Sequence, residues 1–339
     1  MKMESKQSGR LVWLDLLRIL ATFGVVWLHV FCKEFPDVAS GFDWYVAAVG
    51  DGLSRWSVPL FVMISGVLFL DPQREVTYRG LLQKPVPRLL TAYVFWWLFY
   101  AALSVAGVLV MGKRLLPGHF MPYFHLWYLP MLMGIYLVCP LLRKVASDER
   151  MARAGLIVWA VYLTGYFFHL DRVIHFGVWF GDNVIVGFLG YFLLGRYVAS
   201  HEVGRKEACW VYVLGAVGAI VGVAGSIAMS LRSGEGDACF MNYRSPHVAL
   251  MALALFVWVK RNGGRVGERV RSMVEYVRKD LFGIYLVHPL WLLLLSSGPV
   301  RNLAPHVLTL PLIVAAVFVC SLYTTKLLRK IPLVRKAVE

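Results

Sequence analysis

Charge is scarce in this sequence. Asp, Glu, Lys and Arg make up 16% of its 339 residues, where soluble domains carry about 25%, and 59% of the chain is hydrophobic. A water-soluble globule is excluded on that count. Acidic residues are scarcer than basic ones, 20 against 35. Cysteine is sparse and unpatterned: Cys32, Cys139, Cys209, Cys239 and Cys320 stand singly, which excludes a zinc module and a disulfide scaffold. Ten-residue segments of alternating polarity are missing, so an outer-membrane barrel does not fit. Low-complexity segments, proline-rich linkers and repeats are missing too. The first apolar stretch is too long for a cleavable signal and lacks a small-residue cleavage site after it.

What remains is apolar runs of crossing length, roughly 20 residues each, from end to end. They lie near 11–32, 53–70, 89–111, 125–142, 154–170, 183–199, 208–231, 247–259, 281–297 and 307–327. The expectation is an all-α polytopic membrane protein, one domain over residues 1–339, with about ten transmembrane helices. Orientation follows from the positive-inside rule. With the N-terminus inside, 26 Lys and Arg fall in the inner loops and tails and eight, Arg55 among them, in the outer loops. Both termini are therefore expected in the cytoplasm, as an even number of spans requires. The net charge of +15 then reflects topology against an anionic inner leaflet and calls for no nucleic acid. Within it, the basic stretch 260–279 is either more of that anchoring or a seat for a phosphorylated cytosolic ligand. Gly215, Gly218, Gly222 and Gly225 recur every three or four residues, the spacing of a helix-packing face and not of a phosphate loop.

Ionisable residues inside a span are costly, so each is a functional hypothesis. Asp15 and Arg18 in the first run are three apart and share a face, so they can pair; that pairing is the structural reading of both. Arg18 and His29 are eleven apart. At 100° per residue this is within about 20° of three whole turns, and roughly 16 Å along the axis. One stripe of one helix thus carries a guanidinium near the cytoplasmic side and an imidazole near the external mouth. An imidazole is a natural general base for a hydroxyl or amine acceptor. Arginine suits a phosphate, a pyrophosphate or a polarised carbonyl. The layout fits a donor entering from the cytoplasm and an acceptor meeting it on the other side, although a histidine near a membrane interface is also commonly a structural residue.

These residues carry a family signature. Arg18-x10-His29, within the stretch from Leu14 to Val30, resembles the membrane acyltransferase family 3. Three further stretches agree: Ser57-Val-Pro-Leu-Phe-Val-Met-Ile-Ser65-Gly66, His125-Leu-Trp127-Tyr128-Leu, and Phe282-Gly-Ile-Tyr-Leu-Val-His288-Pro289. They occur in order across nearly the whole chain. Within the family, the sequence is most similar to the enterobacterial-common-antigen O-acetyltransferase type, which lacks an appended soluble hydrolase domain.

The resemblance implies an enzyme of the cytoplasmic (inner) membrane. It would move an acyl group, usually acetyl, from cytosolic acetyl-CoA to a hydroxyl of an envelope glycan or lipid-linked saccharide. Acetyl-CoA is then a co-substrate, with no permanently bound cofactor and no metal. It also implies that Arg18 and His29 are required: His29 as general base, Arg18 holding the donor or the developing oxyanion. A thioester is already activated, so no covalent nucleophile is called for. Many members carry Arg-x2-Arg before the third span; this chain has Lys84-Pro-Val-Pro-Arg88. Lys84 and Arg88 are either CoA-phosphate contacts or positive-inside anchors. His125 falls near the level of His29, and Trp127 and Tyr128 beside it are belt aromatics or a stacking platform for a sugar ring. His288, before Pro289, is a polar core link or part of the donor channel, and Arg55 is a guide for the acceptor. Intramembrane Arg, His and Asp also suit another class, a transporter or flippase for a lipid-linked sugar or small metabolite.

Overall fold

A computed structural model describes residues 4–33, 41–114, 116–168 and 184–339. The segment 169–183, holding the end of the fifth expected span and the start of the sixth, lies outside the described residues. The chain runs as α1 (Glu4–Phe31), α2 (Phe42–Ser54), α3 (Ser57–Phe69), α4 (Tyr78–Gln83), α5 (Pro85–Val110), α6 (Tyr128–Ser147), α7 (Glu149–Phe167) and α8 (Val184–Ser200). It continues as α9 (Arg205–Ser233), α10 (Pro246–Asn262), α11 (Glu268–Val277), α12 (Leu281–Leu295), α13 (Gly298–Arg301), α14 (His306–Leu328) and α15 (Pro332–Arg335). All regular elements among the described residues are helical.

Every one of the ten expected runs falls on helix. Among the described residues, six segments are long and apolar enough to cross a membrane: Val12–Phe31, Phe42–Phe69, Tyr78–Val110, Tyr128–Ser147, Arg205–Ser233 and His306–Leu328. α8 and α12 are apolar but shorter. The outward faces are apolar as well: Leu98 on α5, Val158 on α7, Ile220 on α9 and Leu312 on α14 are all exposed. An apolar exterior of that extent belongs in lipid, where helices satisfy their own backbone groups. The chain is a multi-pass membrane protein.

The second span differs from expectation. It begins at Phe42 and not near 53, and it runs to Phe69 with a break at Arg55–Trp56. Pro59 causes the break: it has no N–H for the Arg55 carbonyl, and its ring clashes with that carbonyl. Arg55 therefore stands inside a span, at a helix joint, and not in an outer loop.

α1 is the central post. Leu17, Ala21, Val25 and Leu28 are buried, and the helix packs against α2, α3, α10, α12 and α14. Most of its apolar surface is covered by those neighbours, while Phe23 stays exposed. α3 and α8 approach until backbone meets backbone: a Cβ on Gly66 would run into the Phe192 carbonyl, and one on Gly195 into the Met63 carbonyl. The glycine stripe of α9 does the same work: a Cβ on Gly218 would stand 2.6 Å from the His247 carbonyl of α10.

Candidate active site

α1, α3, α5, α6 and α12 enclose a cavity of about 700 Å³, within the range of ligand sites. One end is basic: Arg18, Arg74, Lys84, Arg88, Arg278, Lys279 and Arg329 line it, with Glu339 the single carboxylate among the lining residues. The interior is apolar and aromatic, with Phe61, Leu68, Leu132, Tyr128, Tyr136, Phe282 and Tyr285 around Ser65.

Local contacts hold the basic end in place. Arg18 Nη1 lies 2.5 Å from Asp15 Oδ1, the i,i+3 pair expected from their spacing. Arg74 sits 4.7 Å over the Phe69 ring. Its loop is held by Arg143, which donates to the carbonyls of Phe69 at 2.6 Å, Asp71 at 2.9 Å and Arg74 at 2.7 Å. Arg88, in the first turn of α5, lies 5.3 Å over Phe282. Arg329 bonds Asp280 at 2.6 Å and Glu339 at 3.1 Å. The residues after α15 fold back to the cavity, where Trp96 Nε1 donates to the Ala337 carbonyl at 2.9 Å and Val338 is buried. Arg335, and Arg329 with it, hold the Glu339 carboxyl below the usual carboxylate range.

Tyr128, Tyr136 and Tyr285 also line the cavity, and three imidazoles cluster next to Tyr285. Tyr285 lines the cavity, donates from its hydroxyl to the His125 carbonyl at 2.5 Å, and sits 6.1 Å ring to ring from His288 one turn on. The rings of His29 and His288 are nearly parallel, 14° between planes, with centroids 5.3 Å apart. His125 meets His288 edge-on at 5.5 Å. His288 and His125 are buried, 0% and 1% exposed, while His29 keeps partial exposure. Of the three, His29 is the one that is not fully buried. Among the described residues no set of three His, Cys, Asp or Glu side chains converges as metal ligands would.

The expected site residues therefore divide into two groups, one around Arg18 and one around His29, both on α1. Arg18, Lys84, Arg88 and Tyr128 share the cavity; His29, His125 and His288 share the imidazole cluster. Arg55 pairs with buried Asp51 at 2.5 Å and acts electrostatically on His29, which puts it beside the cluster. Trp127 turns away: it stacks on Tyr243 at 6.0 Å and stands perpendicular to Tyr128. Arg74, Arg278, Lys279, Arg329, Ser65, Tyr136, Tyr285 and Glu339 are not among the expected site residues. Ser65 and Tyr285 lie in the family stretches, and Arg278 and Lys279 in the stretch considered for a phosphorylated ligand.

Residues 11–325 match the family model described as the acyltransferase domain of family 3. The chain belongs to acyltransferase family 3. No curated protein and no solved structure matches the chain. The match spans the central helix, the imidazole cluster and the cavity lining except Arg329 and Glu339, so an acyltransferase 3 domain comprises nearly the whole protein.

Proposed function

We propose that this acyltransferase moves an acetyl group from cytosolic acetyl-CoA to a hydroxyl of a cell-envelope saccharide, with the basic cavity as the donor site and His29 as the general base. The observation that carries the reading is the shared stripe of α1. Arg18 opens into a cavity with six further cationic side chains, and His29 stands roughly 16 Å further along the same face. A CoA thioester has that polarity and a length of that order, with phosphates at one end, a flexible arm, and the reacting carbonyl at the other. Family membership favours transfer over transport. The protein lies in the inner membrane with ten spans, both termini and the basic mouth in the cytoplasm, as the split of basic residues supports. The resemblance to the enterobacterial-common-antigen type supports a saccharide acceptor.

Chemistry follows from the placement. The acceptor hydroxyl oxygen attacks the thioester carbonyl carbon while its proton passes to the His29 imidazole. The C–S bond breaks, and the departing thiolate takes the proton back, leaving an ester and free CoA. Arg18, Lys84 and Arg88 hold donor phosphates by charge. Asp15 keeps Arg18 oriented. Tyr128 and Tyr285 line the path of the donor arm between the basic end and His29, and His125 and Arg55 flank the acceptor side. Purified protein given acetyl-labelled CoA and envelope glycans should place label on sugar hydroxyls, and a deletion strain should lose acetyl groups from one glycan. Labelled donor turned over with no label on any hydroxyl acceptor would sink the proposal.

A further inference from the structure

His288 lies just behind the reacting end and has no part in the step above, yet its chemistry is unusually well defined. Pro289 sits inside α12 and has no N–H, so the Tyr285 carbonyl four residues earlier loses its helical donor. His288 Nδ1 lies 2.6 Å from that carbonyl oxygen. A carbonyl can only accept, so the hydrogen must be on Nδ1, and Nε2 is left as a bare lone pair. That Nε2 is buried and has no hydrogen-bond partner. Its ring is nearly parallel to that of His29 with centroids 5.3 Å apart, close to the roughly 5 Å between two imidazoles joined by one N–H···N bond of about 3 Å.

His29 needs such a partner. Among the described residues, His288, Arg55 and Lys33 stand near enough to act on its charge. Once His29 takes up a proton, it is a cation beside two cations, and its new N–H can be met by the bare Nε2 of His288. The groups packed around His288 are His29 from α1, His125 ahead of α6, and Tyr285 on its own helix.

We infer that His288 is a positioning residue for the proposed transfer: Pro289 and the Tyr285 carbonyl lock its Nδ1–H tautomer, and the Nε2 lone pair accepts a hydrogen bond from protonated His29. The proton that His29 receives stays on His29 until the thiolate collects it. His288 changes no protonation state. This inference rests on the proposed role of His29 as base.

Three variants and one spectrum test it. His288→Asn keeps a donor where Nδ1 was and has nothing at Nε2; His288→Gln carries its amide out to the Nε2 position. Pro289→Ala returns an N–H to the Tyr285 carbonyl and unlocks the ring. The expected result is a kcat lowered about a hundredfold in His288→Asn, with donor KM and thermal midpoint held near wild type. Gln recovers kcat to within about tenfold of wild type, because it again offers an acceptor to His29. Pro289→Ala falls between them. Histidine ¹⁵N spectra of the wild-type protein should show an Nδ1–H, Nε2-bare ring that becomes a tautomer mixture in Pro289→Ala. Equal turnover in wild type and His288→Asn overturns the inference and leaves transfer by His29 standing. So do equal losses in folded Asn and Gln variants, and so does an Nε2–H tautomer in the wild type. A His29→Ala protein with full turnover sinks the proposed role of His29, and the inference with it, whatever the tautomer.

Discussion

Arg18→Lys separates the two roles that one guanidinium plays. Arg18 is bound to Asp15 at 2.5 Å, and the side chains are 34% and 9% exposed. Lysine keeps the positive charge that the carboxylate needs and gives up the planar fork. A hydrogen bond to a charged group contributes about 1.5–3 kcal/mol, and exchanging a bidentate phosphate contact for a point charge should lose roughly 1–2 kcal/mol of it. That corresponds to a rise of about ten- to thirtyfold in KM for acetyl-CoA, with kcat at saturating donor little changed. Arg18→Ala goes further, because it leaves Asp15 without its partner. Breaking a fully buried pair costs about 3–5 kcal/mol; with Arg18 a third exposed, solvent screening reduces this to about 1–2 kcal/mol, a loss of a few degrees in thermal midpoint. Adding Asp15→Asn removes the orphan charge and should restore the midpoint without restoring donor affinity. The assay is steady-state transfer with varied labelled donor, beside thermal unfolding of the same preparations. Wild-type donor KM in Arg18→Lys, or recovered donor affinity in the double variant, would show that the guanidinium serves Asp15 alone.

His29→Ala should lower kcat by about 10²–10⁴-fold and leave donor KM unchanged, because the donor is held at the far end of the cavity; normal turnover would remove the base. Glu339→Gln takes away the carboxylate that Arg329 holds at 3.1 Å and Arg335 at 2.9 Å. Pairs this exposed contribute about 0.2–1 kcal/mol, so donor KM should fall by about two- to fivefold, and an unchanged or higher KM would mean that Glu339 does not compete with phosphate. Gly66→Ala drives a methyl into the Phe192 carbonyl and should force α3 from α8, cutting the yield of monodisperse protein. Wild-type yield and midpoint would show that the two helices can part without loss.

How far the sequence spoke depended on whether residues shared an element. Arg18 and His29 lie on one straight helix, where angle and rise follow from counting, so their common stripe was legible. The rest of the basic mouth was not, because Arg74, Arg278, Lys279 and Arg329 arrive from three separate connections that only the fold brings to one cavity. Arg55 was placed in a loop because Asp43, Gly50, Asp51 and Gly52 interrupt the apolar run before residue 53. The structure buries that stretch nonetheless, since Asp51 and Arg55, four apart, neutralise each other. Trp127 and Tyr128 stand together in sequence, as belt aromatics or a sugar platform, yet the fold parts them. Neighbours on a helix point 100° apart, and here one faces Tyr243 while the other faces the cavity.

The division of labour along α1 also has an electrostatic reason. Permanent charge is inexpensive where solvent reaches it, and the seven cationic side chains stand at the cavity end where Arg18 and Arg329 stay partly exposed. Deeper in, the same charge costs several kcal/mol unless it is paired. Among the described residues there, Asp51 is already neutralised by Arg55 and could not serve as a free base. An imidazole can rest uncharged and still take a proton near neutrality. A phosphate-bearing donor is thus held by groups that are always charged, at the end where hydration allows it. The hydroxyl is deprotonated by a group that carries charge only while the acyl group is moving, and the buried lone pair of His288 is needed only in that interval.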